Sequence, residues 1–274
     1  MRAKVAFVVE LVFLLTLLPF FISAVEVAEK ENWLTIKNAL PELPEELQKM
    51  REIFNEAVGE VVADIDYLNL LSGDAARRFL SLGEEAKRSQ YFLYADRNPS
   101  RQVAFVGFYN AKDGKVAIIG LDKISSGNEK RRGFFITPTG VFKNSPDFVG
   151  YRALGTKNDD GWRGLGVKGS RVWDFGWQKT YKKNQERVIR LLMHATDPIY
   201  GEKILGKIDS KGCIRISAKM NKFLDHYGLL DKEYEDNKDK KAVAWLLKPD
   251  REPVAYAGKY LLVGDSGNYQ EIQN

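Results

Sequence analysis

Residues 101–125, RQVAFVGFYNAKDGKVAIIGLDKIS, decide the fold of this chain. Two runs rich in β-branched and aromatic residues flank residues 111–114, a short polar segment that contains Asp-Gly. Apolar runs on either side of such a turn are typical of an antiparallel hairpin. The stretch therefore predicts two paired strands. Further β-rich runs, each predicted to be a strand, occupy residues 90–96, 188–195, 242–247 and 259–263.

The region before the strands is predicted to be helical. Apolar residues recur at steps of three and four across residues 47–68, which is typical of an amphipathic helix. Residues 72–74, Ser-Gly-Asp, are predicted to end it, and residues 75–87 indicate a second, shorter helix. Residues 26–44 are polar and contain two prolines, which favours a linker.

These patterns predict a mainly antiparallel β domain, residues 96–274, preceded by a helical region, residues 25–95. Near the C-terminus, residues 218–227 have helical character, and the charged run 232–241 is predicted to be a solvated helix or loop. A chain of 274 residues with 44% hydrophobic content can bury a large core.

The N-terminus predicts export. Arg2 and Lys4 precede an apolar run that continues to Val25 and has small residues near its end. This order is typical of a secretory signal, predicted at residues 1–24. An uncleaved membrane anchor is the alternative, because the run is nearly long enough to span a bilayer. Either reading places the body of the chain in the periplasm or the cell wall.

The net charge of +5 does not indicate a nucleic-acid-binding protein. Its 42 basic residues are interspersed with 37 acidic ones, so no dense basic stripe forms. A solvated mixed surface is the simplest interpretation, and attraction to an anionic polymer such as a cell wall is the second.

Cys213 is the only cysteine, and its neighbours are Ser210, Lys211, Gly212 and Arg215. A lone cysteine in an exported protein indicates an intermolecular bond or a reactive thiol, while an inert buried thiol is the plain alternative. A reactive thiol needs a proton acceptor or a positive field. His194, one of two histidines, lies upstream at the end of a predicted strand. One cysteine and two histidines without zinc-like spacing predict no metal site, and no motif predicts a cofactor.

The region between residues 127 and 181 combines glycines with aromatic residues. Ten of the 23 glycines lie between residues 127 and 176, which predicts loops and tight turns. Core burial is the favoured interpretation for most of the aromatic residues, with walls of a substrate cleft as the alternative. These residues are Phe148, Tyr151, Trp162, Trp173, Trp177 and Tyr181.

Two motifs resemble the L,D-transpeptidase catalytic domain, the YkuD-type family. Fifteen residues separate His194 from Ser-Lys-Gly-Cys-Ile-Arg at 210–215, close to the family's histidine, spacer and Ser/Thr-His-Gly-Cys pattern. Upstream, residues 124–142, ISSGNEKRRGFFITPTGVF, resemble the family's Ser-Thr-Gly and Thr-Pro-Thr-Gly segments. The resemblance covers roughly residues 100–217 and, more loosely, the stretch near residue 245. It implies an antiparallel β-sandwich or barrel-like fold.

The resemblance also implies cysteine-dependent acyl transfer on peptidoglycan stem peptides. Cys213 would attack the third-position diamino acid, expel the terminal D-alanine, and pass the acyl group to a second stem. His194 would be the general base with a near-neutral pKa, oriented by the carbonyl of Ala195. Backbone amides around Gly212 and Cys213 would hold the oxyanion. Ser210, Lys211 and Arg215 are the substrate-side candidates, Arg215 by organising the loop or binding a carboxylate.

The departure from the family pattern is Lys211, where a second histidine is usual. A charged lysine accepts no proton, so its predicted roles are lowering the thiol pKa, binding a carboxylate, or facing solvent. His226 has no motif around it and is predicted to be a surface residue. Two rival functions follow from the sequence. Water could take the thioester, giving an L,D-carboxypeptidase or another hydrolase, or the chain could be a silent wall-binding protein.

Overall fold

The computed structural model of the chain describes residues 43–61 and 63–271. The predicted export segment, residues 1–24, and nearly all of the predicted linker lie outside the described residues. Within the described part, no helix has the length and apolar content needed to cross a membrane.

Two helices precede the sheets. Helix α1 spans Glu45–Ala57, and helix α2 spans Ile65–Leu80. Asp64 begins α2, because its carboxylate accepts hydrogen bonds from the first turn. The prediction of one helix across residues 47–68 that ends at residues 72–74 is wrong, since the break lies between α1 and α2. The cap at Asp64 and the packing of α2 outweigh the unfavourable Ser-Gly-Asp segment. Residues 83–87 form a 3₁₀ turn instead of continuing a helix.

The strands form two sheets. The strands are β1 Gln90–Asp96, β2 Val103–Asn110, β3 Lys115–Lys123, β4 Gly140–Lys143, β5 Tyr151–Arg152, β6 Arg171–Lys182, β7 Gln185–Ala195, β8 Ile214–Ile216 and β9 Tyr260–Gly264. The first sheet has the order β3-β2-β1-β9-β4, in which β1 and β9 are parallel and the other pairs antiparallel. The second sheet has the order β5-β6-β7-β8, in which only β7 and β8 are parallel.

The two sheets share one apolar core. Inward side chains of the first sheet, such as Leu93 and Val106, belong to the same buried cluster as Trp173, Met193 and Ile214 of the second sheet. Helix α2 covers the opposite face of the first sheet, so this sheet is buried on both sides. The result is a layered arrangement of helix, sheet and sheet. The chain is therefore mixed α/β with two largely antiparallel sheets, which agrees loosely with a mainly β prediction.

Several predicted elements are confirmed and one is corrected. Strands appear at β1, β2, β3, β7 and β9, and helix α3 spans Ala218–His226. Short helix α4, Lys232–Glu235, lies in the charged run. The predicted strand at residues 242–247 is wrong, because helix α5, Lys241–Ala244, and the turn that follows it occupy these residues. Val243 and Leu246 pack with Tyr234 in a small apolar cluster, a helical spacing that outweighs their β propensity. Strand β1 also crosses the predicted boundary between residues 95 and 96 and belongs to the first sheet.

Candidate active site

The parallel pairing of β7 and β8 brings Cys213 and His194 onto neighbouring strands. Met193 lies opposite Ile214, and His194 lies opposite Arg215. Cys213 immediately precedes β8, beside Leu192, whose backbone forms a hydrogen bond with the thiol. Met193 and Ile214 are fully buried on the core face. Because side chains alternate along a strand, Cys213 and His194 lie on the opposite face of the sheet.

The ring of His194 is held by its own strand. Its Nδ1 lies 2.7 Å from the carbonyl oxygen of Ala195, so Nδ1–H donates this bond and Nε2 is left as the proton acceptor. Burial lowers the pKa of His194 to about 4, and the charge of Arg215 acts in the same direction. The near-neutral pKa expected of this base is therefore not found. The predicted orienting position, Ala195, is where the structure places the bond.

The thiol of Cys213 is protonated at neutral pH. Burial raises its pKa, while the Leu192 backbone and the charge of Arg215 oppose this effect and Asp174 adds to it. Since the imidazole of His194 is also neutral, the two groups form a neutral pair, in contrast to a thiolate–imidazolium pair. The cation that lowers the thiol pKa is Arg215, whereas the sequence had suggested Lys211.

The turn before the thiol is held by hydroxyl groups. Ser210 is buried, donates to the carbonyl of Cys213 and accepts the amide of Gly212 at 3.0 Å. Thr137 donates to the carbonyl of Gly212 at 2.9 Å. Of the two amides expected to hold an oxyanion, that of Gly212 is therefore bonded to Ser210, and that of Cys213 adjoins the thiol. Ser210, although expected on the substrate side, is buried and shapes the turn.

Gly212 is required by geometry. Its φ is +127°, a conformation that disfavours L side chains, and an added Cβ would lie 2.7 Å from the Cδ1 of Ile189. The glycine allows the turn to pass close to β7 and present Cys213 at the start of β8.

Arg215 organises the loop, one of the two roles predicted for it. It donates to Asp209 at 2.8 Å, and Arg131 binds the other oxygen of the same carboxylate at 2.7 Å. Lys211 is exposed, and its Nζ lies 5.8 Å from the centre of the Phe134 ring. His226, at the end of α3, lies 3.9 Å from Glu252, as suits the surface residue that was predicted.

A tyrosine that sequence reasoning did not link to the thiol lies on the same face of the second sheet. Tyr151 of β5 is opposite Val172 of β6, which in turn is opposite His194 of β7. Burial raises the pKa of Tyr151, and the nearby Asp174 and Cys213 raise it further. Its hydroxyl is therefore a protonated donor on the face that carries the thiol. The aromatic loop drew attention to Tyr151, but no spacing linked it to Cys213.

The glycine-rich loop at residues 153–170 packs against the end of β7. An added Cβ on Gly166 would lie 2.7 Å from the Cβ of Ala195, so this loop packs directly against the strand end. Trp162 stacks on Tyr200, with ring centres 5.8 Å apart. Asp197 accepts the backbone amide of Arg163 at 3.1 Å, which ties the loop to the segment after β7.

The prediction of core burial for the aromatic residues is correct for Trp173 and wrong for most of the others. Trp173 is fully buried, whereas Phe148, Trp177 and Tyr181 are 40%, 60% and 54% exposed. Among residues 43–61 and 63–271, no group of three or more His, Cys, Asp and Glu side chains is placed to hold a metal ion.

No protein-family model matches the chain, and no curated protein matches it.

Proposed function

We propose that the chain is an exported L,D-transpeptidase that acts on peptidoglycan stem peptides through a thioester on Cys213, with the corresponding catalytic fold. The observation that carries the proposal is the Nδ1–H bond from His194 to the Ala195 carbonyl. This bond turns Nε2, the proton acceptor of the neutral imidazole, away from the backbone of His194. His194 lies on β7, the strand next to Cys213. A neutral thiol beside a neutral, oriented imidazole suits nucleophilic acyl transfer.

The first half-reaction forms the thioester. The sulfur of Cys213 attacks the carbonyl at the L-centre of the third-position diamino acid as Nε2 of His194 takes the thiol proton. Because both groups start neutral, proton transfer accompanies the attack. The amide of Cys213 adjoins the developing oxyanion, and the Tyr151 hydroxyl, on the same face of the sheet, is the second donor that we assign to it. Collapse of this intermediate breaks the peptide bond, and the proton on His194 passes to the departing D-alanine amine.

The second half-reaction regenerates the enzyme. The side-chain amine of a second stem attacks the thioester and loses a proton to His194. The C–S bond breaks, the thiolate takes that proton, and a cross-link between two third-position residues is released. If water replaces the amine, the product is a free carboxylate. The two outcomes have different masses.

Incubation of the purified protein with disaccharide-tetrapeptides, followed by mass spectrometry, tests the proposal. We expect free D-alanine and cross-linked dimers from the wild type and neither from Cys213→Ala. His194→Ala should lose activity, whereas His226→Ala, the matched control, should keep it. A carbapenem should label Cys213 in the wild type and leave Cys213→Ala unlabelled. Labelling of a folded Cys213→Ala variant, or products consisting of tripeptide alone, would contradict the proposed reaction.

A further inference from the structure

An exposed strip runs along the outer face of the β6–β7 hairpin. Register places Trp177 opposite Arg190, Lys179 opposite Val188, and Tyr181 opposite Glu186. Residues two apart on a strand share a face, so these six side chains lie on one face of the hairpin. Trp177, Tyr181 and Val188 are each more than half exposed. We call these six residues the hairpin strip. Large exposed apolar side chains that are grouped in this way mark binding surfaces.

A β-bulge turns Trp177 onto this face. Asp174 lies opposite Leu192, but the next aligned pair is Trp177 with Arg190, so β6 carries one extra residue here. Gly176 adopts φ +75° in the bulge, and an added Cβ would lie 2.6 Å from the Phe148 ring. A bulge re-aims the side chains that follow it. Without the extra residue, Trp177 would lie on the same face as the buried Trp173.

The strip continues directly from the thiol. Arg190, Leu192 and His194 alternate along β7 and share one face, and Leu192 is the neighbour of Cys213. Val188, at the middle of the strip, is four residues from Leu192, or about 13 Å along the strand. Three extended residues of a stem peptide span about 10 Å. A stem acylated on Cys213 and extended along β7 would therefore bring its sugar onto the strip.

The charges of the strip are paired, one pair within it and one with Asp174. Lys179 bonds Glu186 at 3.1 Å, and Arg190 bonds Asp174 at 2.8 Å. Arg190 also lies between the rings of Phe148 and Trp177, at 5.8 and 5.7 Å from their centres. Balanced charges do not favour a polyanion, and the ion pairs do not favour a lipid. Flat aromatic faces beside polar side chains suit a neutral ligand with apolar C–H faces and many hydroxyl groups.

We propose that the hairpin strip binds the N-acetylated sugar chain of peptidoglycan, with Trp177 and Tyr181 stacking on its rings, and so selects sugar-bearing stems for the thiol. The selection of stems rests on the proposed function, whereas the binding of sugar does not. Trp177 and Tyr181 are about 13 Å apart along β6, a span that covers more than one sugar ring.

Titration of the purified protein with the N-acetylglucosamine tetramer, which carries no peptide, tests sugar binding. We expect saturable binding that weakens at least tenfold in Trp177→Ala and in Tyr181→Ala. Tyr256→Ala is the matched control, because Tyr256 is 47% exposed and packs on Phe108, away from the hairpin. Cys213→Ala should bind the tetramer as the wild type does. Trp177→Phe keeps an aromatic ring and should recover part of the affinity. This recovery would distinguish a loss of stacking in Trp177→Ala from a folding defect.

Selection is tested by comparing acylation of Cys213 by a disaccharide-tetrapeptide and by the free tetrapeptide. The wild type should prefer the sugar-bearing substrate at least tenfold, and Trp177→Ala should reduce that ratio to about one. An unchanged ratio in Trp177→Ala, or binding of polyglutamate in place of the sugar tetramer, would overturn the proposal. Absence of acylation by either substrate would refute the proposed function, while the tetramer titration still decides sugar binding.

Discussion

Arg215 lies directly opposite His194 in the parallel ladder between β7 and β8. Its positive charge acts on both members of the candidate pair, lowering the pKa of His194 and opposing the rise in the pKa of Cys213. Asp209 holds the guanidinium in place at 2.8 Å. Arg215 thus makes proton acceptance by the histidine harder and thiolate formation easier, so its position balances the two groups.

Arg215→Gln should raise the pKa of the Cys213 thiol further, because the cation that favours the thiolate is removed. Lys211→Gln should leave the thiol pKa near that of the wild type. The rate of alkylation by iodoacetamide, measured from pH 6 to 10.5, reports the thiolate fraction in each variant. Asp209→Asn is the control for the lost ion pair, since it breaks the same contact and keeps the cation. If Lys211→Gln shifts the pH profile of alkylation more than Arg215→Gln does, Arg215 is not the cation that favours the Cys213 thiolate.

His194 should make the folded state less stable at low pH. Its folded pKa of about 4 is below the ordinary value of 6.5, so the unfolded chain binds a proton that the fold excludes. The contribution of neutral His194 to the free energy of unfolding is fully present above about pH 6.5. It is lost as the pH drops toward 4, by about 3 kcal/mol at most. Urea unfolding of the wild type and His194→Gln at several pH values measures the difference. His226→Gln is the control, and equal pH slopes for wild type and His194→Gln would refute the assignment.

The strands were predictable from the sequence because local patterns encode them. The runs in residues 101–125 and their Asp-Gly turn produce β2 and β3, and the apolar run before His194 produces β7. The resemblance linked His194 to Cys213 across fifteen residues, and the structure places them on adjacent strands, but the parallel ladder that joins these strands is a long-range pairing. Parallel pairing leaves no local turn signal in the sequence.

The errors have physical causes. Residues 242–247 have β propensity, yet their helical spacing lets Val243 and Leu246 pack against Tyr234. Trp177 was expected to be buried, and a single extra residue in β6 turns it outward. Nothing in the sequence indicated that the amide of Gly212, one of the two expected near the oxyanion, donates to the hydroxyl of Ser210. Each outcome depends on contacts between segments that a local pattern does not contain.

If the Tyr151 hydroxyl stabilises the oxyanion as proposed, Tyr151→Phe should slow acylation of Cys213 by about ten- to a hundredfold, because it removes the neutral donor and keeps the ring. The thiol pKa should change little, since the Tyr151 hydroxyl is uncharged in the working range. Single-turnover acylation by a stem tetrapeptide measures the rate. Tyr200→Phe is the control, because this tyrosine stacks on Trp162 of the glycine-rich loop. An acylation rate equal to that of the wild type would exclude the hydroxyl from oxyanion stabilisation.

Ser210→Ala should destabilise the protein and slow acylation together. The hydroxyl is buried and satisfies both the Cys213 carbonyl and the Gly212 amide, so its loss leaves two groups of the turn without their partner. One unsatisfied buried group costs about 1–3 kcal/mol, and chemical denaturation measures this cost. Ser81→Ala is the matched control, because the Ser81 hydroxyl donates to the carbonyl oxygen of Arg78 at an exposed helix end. Loss of this hydroxyl should lower the free energy of unfolding by under about 0.5 kcal/mol. If Ser210→Ala unfolds and acylates as the wild type does, the backbone alone fixes the turn that presents the thiol.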